Sequence, residues 1–293
     1  MWQLLQIELF KIFRKPRTYI SFGAIAAMVL IIQVALKFDG RSYIEFVLGS
    51  LKDSLEIPFD NILNGFFICF VILNLLLIHI PLLIALVAGD LVAGEANMGT
   101  LRLLATKPIS RTQLMLAKFF AATIYTAMLL LWMALLALAL SIFLFDTNDI
   151  IVARNDAIEL IKKDDVLWRY IAAFGYATVA LTTVAALAFL LSIFADNSIG
   201  PIVATISIVI VFTILSEMQI PLYDRTVKPY LFTSHMLAWK GFFYLKTDSE
   251  GTSIPGTIEN LPAVLRSMAV LLTYIVLFVT TAITIFKRKD ILS

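Results

Sequence analysis

The sequence predicts an all-α membrane protein with six transmembrane helices, and two observations support this prediction. Of the 293 residues, 60% are hydrophobic and 15% are charged, whereas soluble domains are about 45–50% apolar and about 25% charged. The apolar residues gather in six stretches almost free of charge, each long enough, or nearly so, to cross the bilayer as a helix. The expected spans are about 18–36, 62–89, 113–145, 170–194, 198–217 and 265–286.

The same pattern predicts a single membrane domain over residues 1–293, with no separate soluble domain. Basic residues are concentrated in the segments expected on the same side of the membrane as the two termini. A Lys-Arg-Lys run, 287–289, follows the sixth span. Short cytoplasmic segments carry this excess. We therefore expect a multi-pass protein of the cell (inner or plasma) membrane with cytoplasmic termini. The expected outer segments are 37–61, 146–169 and 218–264.

Residues 1–16 are amphipathic and predict an interfacial helix that lies along the membrane surface. Pro16 disfavours helical geometry at Lys15, so the helix should end or bend there. A simple extension of the first span is the alternative. The expected apolar face consists of Trp2, Leu5, Leu9, Ile12 and Phe13.

The segment 90–112, between the second and third spans, has the pattern of a short cytoplasmic helix. Gly99 permits a turn and Thr100 can cap a helix. Pro108 opposes its continuation, and Ser110 with Gln113 has the spacing of a capping box for the third span. Such a helix cannot bury its leucines alone, which indicates a partner surface or burial in the lipid headgroup region.

This segment resembles the ABC-2 type permease family, the transmembrane subunits of ATP-binding-cassette exporters. The resemblance rests on an acidic residue, a Gly-Thr pair, a leucine-rich helix and a Pro-Ile-Ser-Arg turn, followed by Leu114 and Lys118. The order of the predicted elements, an amphipathic N-terminal helix followed by six spans, is also similar. The resemblance implies that the loop is a coupling helix docking on an ATPase, and that re-entrant helices precede the sixth span. The coupling positions it implies are Glu95, Gly99, Thr100, Leu101, Arg102, Leu103, Leu104, Pro108, Ile109, Ser110 and Arg111.

The chain lacks the phosphate-binding loop of an ATPase, because it contains no Gly-Lys pair. We therefore expect no enzymatic activity and no cofactor in this chain. ATP and Mg would be bound by a separate ABC ATPase dimer. The resemblance further implies a second permease chain, identical or similar, and contact with membrane lipids but not nucleic acid. The cargo is not indicated by the sequence.

Four polar residues within the spans are candidates for lining a substrate path: Asn74, His79, Thr178 and Thr182. Polar groups at membrane depth are costly and usually face other helices or a cavity. The alternatives are interhelical hydrogen bonds around Pro81 for the first pair and helix packing for the threonines.

We expect no metal site. The acidic segment 146–169 is expected to be a solvated loop, in which Asp156 could cap a short helix over 157–163.

Two other functions remain open at the level of sequence. A non-transporting membrane scaffold or regulatory subunit could use the outer segments. An integral-membrane lipid-modifying enzyme would need a cluster of titratable groups at one depth, and the spans offer isolated polar residues instead.

Overall fold

The computed structural model describes residues 1–48, 62–100, 109–154, 157–218, 225–248 and 253–289. Six of its helices are long and apolar enough to cross a membrane, which confirms the predicted number. We call them the first to sixth spans. They are Pro16–Gly40, Gly65–Asn97, Arg111–Phe145, Lys163–Leu191, Ile199–Glu217 and Leu261–Arg288.

Among the described residues, the α-helices are numbered α1 to α10 in chain order, and three 3-10 segments and one π-helical segment lie between them. The α-helices are Trp2–Phe13, Pro16–Leu48, Gly65–Ala88, Ala93–Asn97, Arg111–Ala134, Ser141–Phe145, Leu167–Leu191, Ile199–Glu217, Phe232–Met236 and Leu261–Arg288. The π-helical segment is Leu135–Leu140, and the 3-10 segments are Lys163–Asp165, Lys228–Tyr230 and Leu237–Phe243.

Side-chain caps explain where three of the spans begin. The side chain of Asn64 accepts a hydrogen bond from Phe67 N (3.0 Å), and Asn260 likewise accepts one from Ala263 N (3.3 Å). Ser110 Oγ accepts one from Gln113 N (3.2 Å), as the capping-box spacing predicted. Each cap satisfies a backbone donor that the first helical turn leaves free.

The fourth span is the centre of the bundle, because it packs against the second, third, fifth and sixth spans. Its inner surface alternates large aromatic with small residues: Tyr170, Ala173, Tyr176, Ala177 and Ala180 are all buried. Small residues allow helices to approach closely in lipid, where the packing itself supplies the stabilisation.

Two small antiparallel sheets lie outside the spans, so the fold is mainly but not purely α-helical. Strands β1 (Ile150–Arg154) and β2 (Ala157–Ile161) form a hairpin in which Ile150 pairs with Ile161. Strands β3 (Lys246–Thr247) and β4 (Ser253–Ile254) form the second sheet.

The hairpin corrects two predictions for this segment. Residues 157–161 form a strand and not a helix, while Asp156 lies outside the described residues. The segment is also not a solvated loop, because Ile150, Ile151, Val152 and Ile161 are buried. A run of β-branched residues favours a pleated, half-buried conformation, and the surrounding acidic residues concealed that signal.

The N-terminal helix α1 ends before Pro16, where the prediction placed the break. It packs along the third span, burying Glu8 and Ile12. Leu5, Leu9 and Ile12 of the expected apolar face pack against the protein, whereas Trp2 is 68% exposed. Contact of Trp2 with a membrane surface stays a prediction.

The bundle has two distinct ends. The N-terminal face carries α1, α4, Ser110 and the last turn of the sixth span. The opposite face carries the β1–β2 hairpin and residues 225–248 and 253–260. The two parts of the opposite face are joined by a hydrogen bond from Leu245 N to Glu159 Oε2 (2.6 Å).

Candidate functional site

Three buried charged side chains and a partly exposed lysine, Lys11, form a cluster at the N-terminal face, which we call the four-charge cluster: Glu8, Lys11, Glu95 and Lys118. Lys118 Nζ lies 2.9 Å from Glu8 Oε2 and 2.7 Å from Glu95 Oε1. Lys11 Nζ lies 2.8 Å from Glu8 Oε1 and 2.8 Å from Glu95 Oε1. The Lys118 side chain is 1% exposed, and those of Glu8 and Glu95 are 4% and 6% exposed.

The cluster joins three elements that are far apart in the sequence. Glu8 and Lys11 come from α1, Glu95 from α4 and Lys118 from the third span. Burial acts to lower the pKa of Lys11, but its hydrogen bonds to Glu8 and Glu95 raise that pKa above its ordinary value overall. Two positive and two negative charges balance, so each buried ion has a partner and the desolvation cost is compensated.

The position of Glu95 differs from the expectation of a surface contact with a partner. Its carboxylate faces the interior, because Lys118 would otherwise be a buried charge without sufficient compensation. Glu95 therefore fixes the beginning of the predicted coupling loop against α1 and the third span.

A second ionic group lies beside the first, centred on Asp90, which is 4% exposed. Its Oδ2 lies 2.5 Å from Lys15 Nζ and 2.5 Å from Arg17 Nη2. Its Oδ1 accepts a hydrogen bond from Ser198 Oγ. Asp90 thus ties the end of the second span to the beginnings of the first and fifth spans.

Gly94 is required for this arrangement. A Cβ added there would collide with the Asp90 carboxylate. The backbone of α4 lies directly over the carboxylate, with Gly94 N donating to Asp90 O at 2.9 Å.

The other end of the loop is fixed by Arg111. Its Nη1 donates to the carbonyl oxygens of Phe286 (3.3 Å), Lys287 (3.0 Å) and Lys289 (2.8 Å). These carbonyls end the sixth span, where free acceptors and the negative end of the helix dipole favour a cation. Arg111 was expected to contact a partner, and its hydrogen bonds instead lie within the chain.

The middle of the loop is only partly described. Gly99 has φ +69°, which confirms the predicted turn. Thr100 Oγ1 donates to the carbonyl of Glu95 (3.3 Å), and Met98 beside it is 59% exposed. Ile109 packs partly buried against the core. The coupling positions Leu101, Arg102, Leu103, Leu104 and Pro108 lie outside the described residues.

The polar residues of the second span bond to their own helix. Asn74 Nδ2 donates to Phe70 O (2.9 Å), and His79 Nδ1 lies 2.7 Å from Leu75 O. The interhelical hydrogen bonds offered as the alternative for this pair are therefore absent among the described residues. His79 is exposed on the outside of the bundle.

The threonines of the fourth span behave in the same way. Thr178 Oγ1 donates to Phe174 O (2.9 Å) and Thr182 Oγ1 donates to Thr178 O (2.7 Å). Thr182 is buried in the helix packing. No hydrogen bond joins these threonines to Asn74 or His79 in the part of the chain that is described.

The sequence contains a signal for the burial of Glu8 and Asp90. Glu8 follows Leu5 by three residues and precedes Ile12 by four, so it lies on the protein-facing side of α1. Asp90 directly follows a long apolar run. An acid in either position needs a cation, and the basic residues of the N-terminal segment supply it.

Comparison with known proteins gives a family but no activity. A family model described as "Protein of unknown function (DUF2705)" matches residues 23–292. The chain belongs to this family. The match includes Glu95, Arg111 and Lys118 but begins after Glu8 and Lys11.

One curated relative is the "Uncharacterized protein YhcI" of Bacillus subtilis (strain 168), which is 24% identical over 214 residues. The alignment covers 70% of this chain and 63% of the relative. The chain thus spans less than two thirds of the length of the curated relative that it matches. Neither the family nor this relative has a described activity.

Proposed function

We propose that this chain is the permease subunit of an ABC transporter of the ABC-2 type. It would form the translocation path and couple it to ATP hydrolysis by a separate ATPase dimer, in the direction of export. The proposal starts from the resemblance of segment 95–111 and from the six apolar helices.

The observation that carries the proposal is the fixation of the loop at both ends. Glu95 is held by two lysines of α1 and the third span. Arg111 is held by the end of the sixth span. A force on the segment between them would therefore reach α1 and the second, third and sixth spans together. A loop without such fixation would absorb the movement locally.

The exposed histidine of the second span supports a second permease chain. His79 lies on the same helix as Leu75 and Ile78, which are 43% and 53% exposed. A polar imidazole that faces hydrocarbon is costly, and such groups usually face protein or a water-filled cavity. This face of the second span is therefore the place where we expect a partner chain or the translocation path.

Co-purification tests the docking role of the loop. The chain would be co-expressed with the ABC ATPases of its source organism, as the wild type and with Leu101→Glu and Leu104→Glu combined. A charged pair in an apolar groove should abolish association, because unpaired carboxylates are costly to bury. The matched control is Ile254→Glu, an exposed apolar residue on the opposite face. Undiminished association of the loop variant would remove the docking role.

Reconstitution separates transport from scaffolding. In proteoliposomes, the ATPase should hydrolyse ATP several-fold faster with the wild-type chain than with the loop variant. An equal rate with both would favour the scaffold or regulatory role over the permease.

A further inference from the structure

A pocket of about 500 Å³ opens on the opposite face, between the 3-10 segment Leu237–Phe243 and the first two turns of the sixth span. It lies beside the N-terminal end of the sixth span, where we expect a helix of this length to leave hydrocarbon for water. Its polar lining residues are Lys240, Tyr244, Glu259, Asn260 and Ser267.

Lys240 is the notable group in this lining. Among the described residues it forms no salt bridge, and the charge that acts on it is that of Glu217 at the end of the fifth span. Burial lowers the pKa of Lys240, while Glu217 acts in the opposite direction. A partly buried ammonium in this state favours an anionic ligand that restores its lost hydration.

The rest of the pocket is apolar. Leu237, Ala238, Ala263 and Val264 form its wall. The wall is firmly built, because a Cβ added at Gly241 would lie 2.6 Å from Val264 Cγ2. The pocket therefore presents a cation above a rigid alkyl surface.

The apolar surface continues from the pocket along the sixth span. Ala263, Val270 and Leu277 recur every seven residues and lie on one side of the helix. Leu277 is 52% exposed, and Arg266, also exposed, lies one turn into the helix. A ligand held at the pocket could thus extend an alkyl chain towards the middle of the span.

We propose that this pocket binds a phospholipid of the adjacent leaflet, with the phosphate on Lys240 and an acyl chain along the Ala263–Leu277 side of the sixth span. The lining combines one lysine, Lys240, and one carboxylate, Glu259, with an apolar wall and a continuing apolar stripe, which fits a zwitterionic amphiphile and not a soluble anion. The site lies at the other end of the bundle from the coupling loop and does not depend on the transport proposal.

Lipid titration of the purified full-length chain in detergent tests the proposal, with phosphatidylethanolamine and a diacylglycerol of the same acyl chains as probes. Phosphatidylethanolamine should bind about tenfold more tightly, because a charge-assisted hydrogen bond to phosphate is gained. Lys240→Gln should abolish that preference, and Lys240→Arg should retain it. The matched control is Lys246→Gln, which removes an exposed lysine of β3 outside the pocket.

The comparison between the variants excludes a simple folding defect. Lys240→Arg and Lys246→Gln should keep the wild-type preference and the wild-type thermal midpoint. The proposal is overturned if the two lipids bind equally to the wild type, or if Lys240→Gln keeps the preference.

Discussion

At the scale of single residues, the contribution of the four-charge cluster to folding stability depends on the balance between its positive and negative charges. Lys118 is almost fully buried between Glu8 and Glu95. Removing one partner of a buried pair leaves an ion without compensation, which costs more than the intact pair contributes. The folded-state pKa of Lys11 lies above its ordinary value of 10.5. Its contribution is therefore complete below that pH and is lost as the pH rises through the folded-state value.

A double-mutant cycle measures this balance. Glu95→Gln should lower the free energy of unfolding by about 3–5 kcal/mol, since Lys118 keeps one carboxylate of two. The double variant Glu95→Gln with Lys118→Met keeps the Glu8–Lys11 pair and is again neutral. The double variant should lose clearly less free energy of unfolding than the sum of the losses in the two single variants.

The cycle would be followed by thermal unfolding in detergent. The control is Asp164→Asn, which alters an exposed acid on the opposite face and should leave the midpoint unchanged. Additive losses in the cycle would show that the four charges do not act as one group.

At the scale of elements, the sequence predicted the helices far better than their contacts. The six spans were readable because hydrocarbon thickness fixes both length and composition. The caps at Ser110 and the break before Pro16 were readable because they depend on neighbouring residues alone. The burial of Glu95 depends on Lys118 and on an α1 helix more than 80 positions away in the chain, which no local pattern contains.

The β1–β2 hairpin shows the same limit. Its strands are short, and their acidic neighbours made the segment resemble a solvated loop. The buried residues Ile150 and Ile161 became informative only once they were paired across the turn. The coupling role of the loop was implied by the family resemblance, and its fixed ends at Glu95 and Arg111 were not predicted.

A pair of glycine substitutions tests the close packing of α4 against Asp90, within the second span. Gly94→Ala should destabilise the fold by about 1–3 kcal/mol, because the new methyl group collides with the Asp90 carboxylate. Gly23→Ala is the matched control, since no heavy atom lies within 4 Å of a Cβ there. The control should be neutral or slightly stabilising, because alanine favours a helix over glycine.

Melting temperatures of both variants in the same detergent give the comparison. If Gly94→Ala and the wild type have the same melting temperature, the added methyl group fits beside Asp90, and the close packing inferred here is wrong.

At the scale of the whole molecule, the charge distribution predicts which end of the bundle faces the cytoplasm. By the positive-inside rule, we expect the N-terminal face to lie on the cytoplasmic side. The chain has one cysteine, and Cys69 is fully buried. Single added cysteines can therefore be labelled against a silent background.

Labelling of intact cells with a membrane-impermeant maleimide checks the orientation. Lys246→Cys on the opposite face should react in intact cells, and Met98→Cys, at an exposed position of the loop, should react only after permeabilisation. The reverse pattern would place the coupling loop outside the cell and remove the proposed function with it.

We propose that an ABC ATPase binds the loop between Glu95 and Arg111. Site-specific photo-crosslinking in cells can detect this contact, with a photoreactive residue at position 101 and, in a separate strain, at position 254 on the opposite face. We expect a covalent adduct with an ABC ATPase chain from position 101 and none from position 254. Absence of an ATPase adduct at position 101, with the protein expressed and inserted, would contradict it.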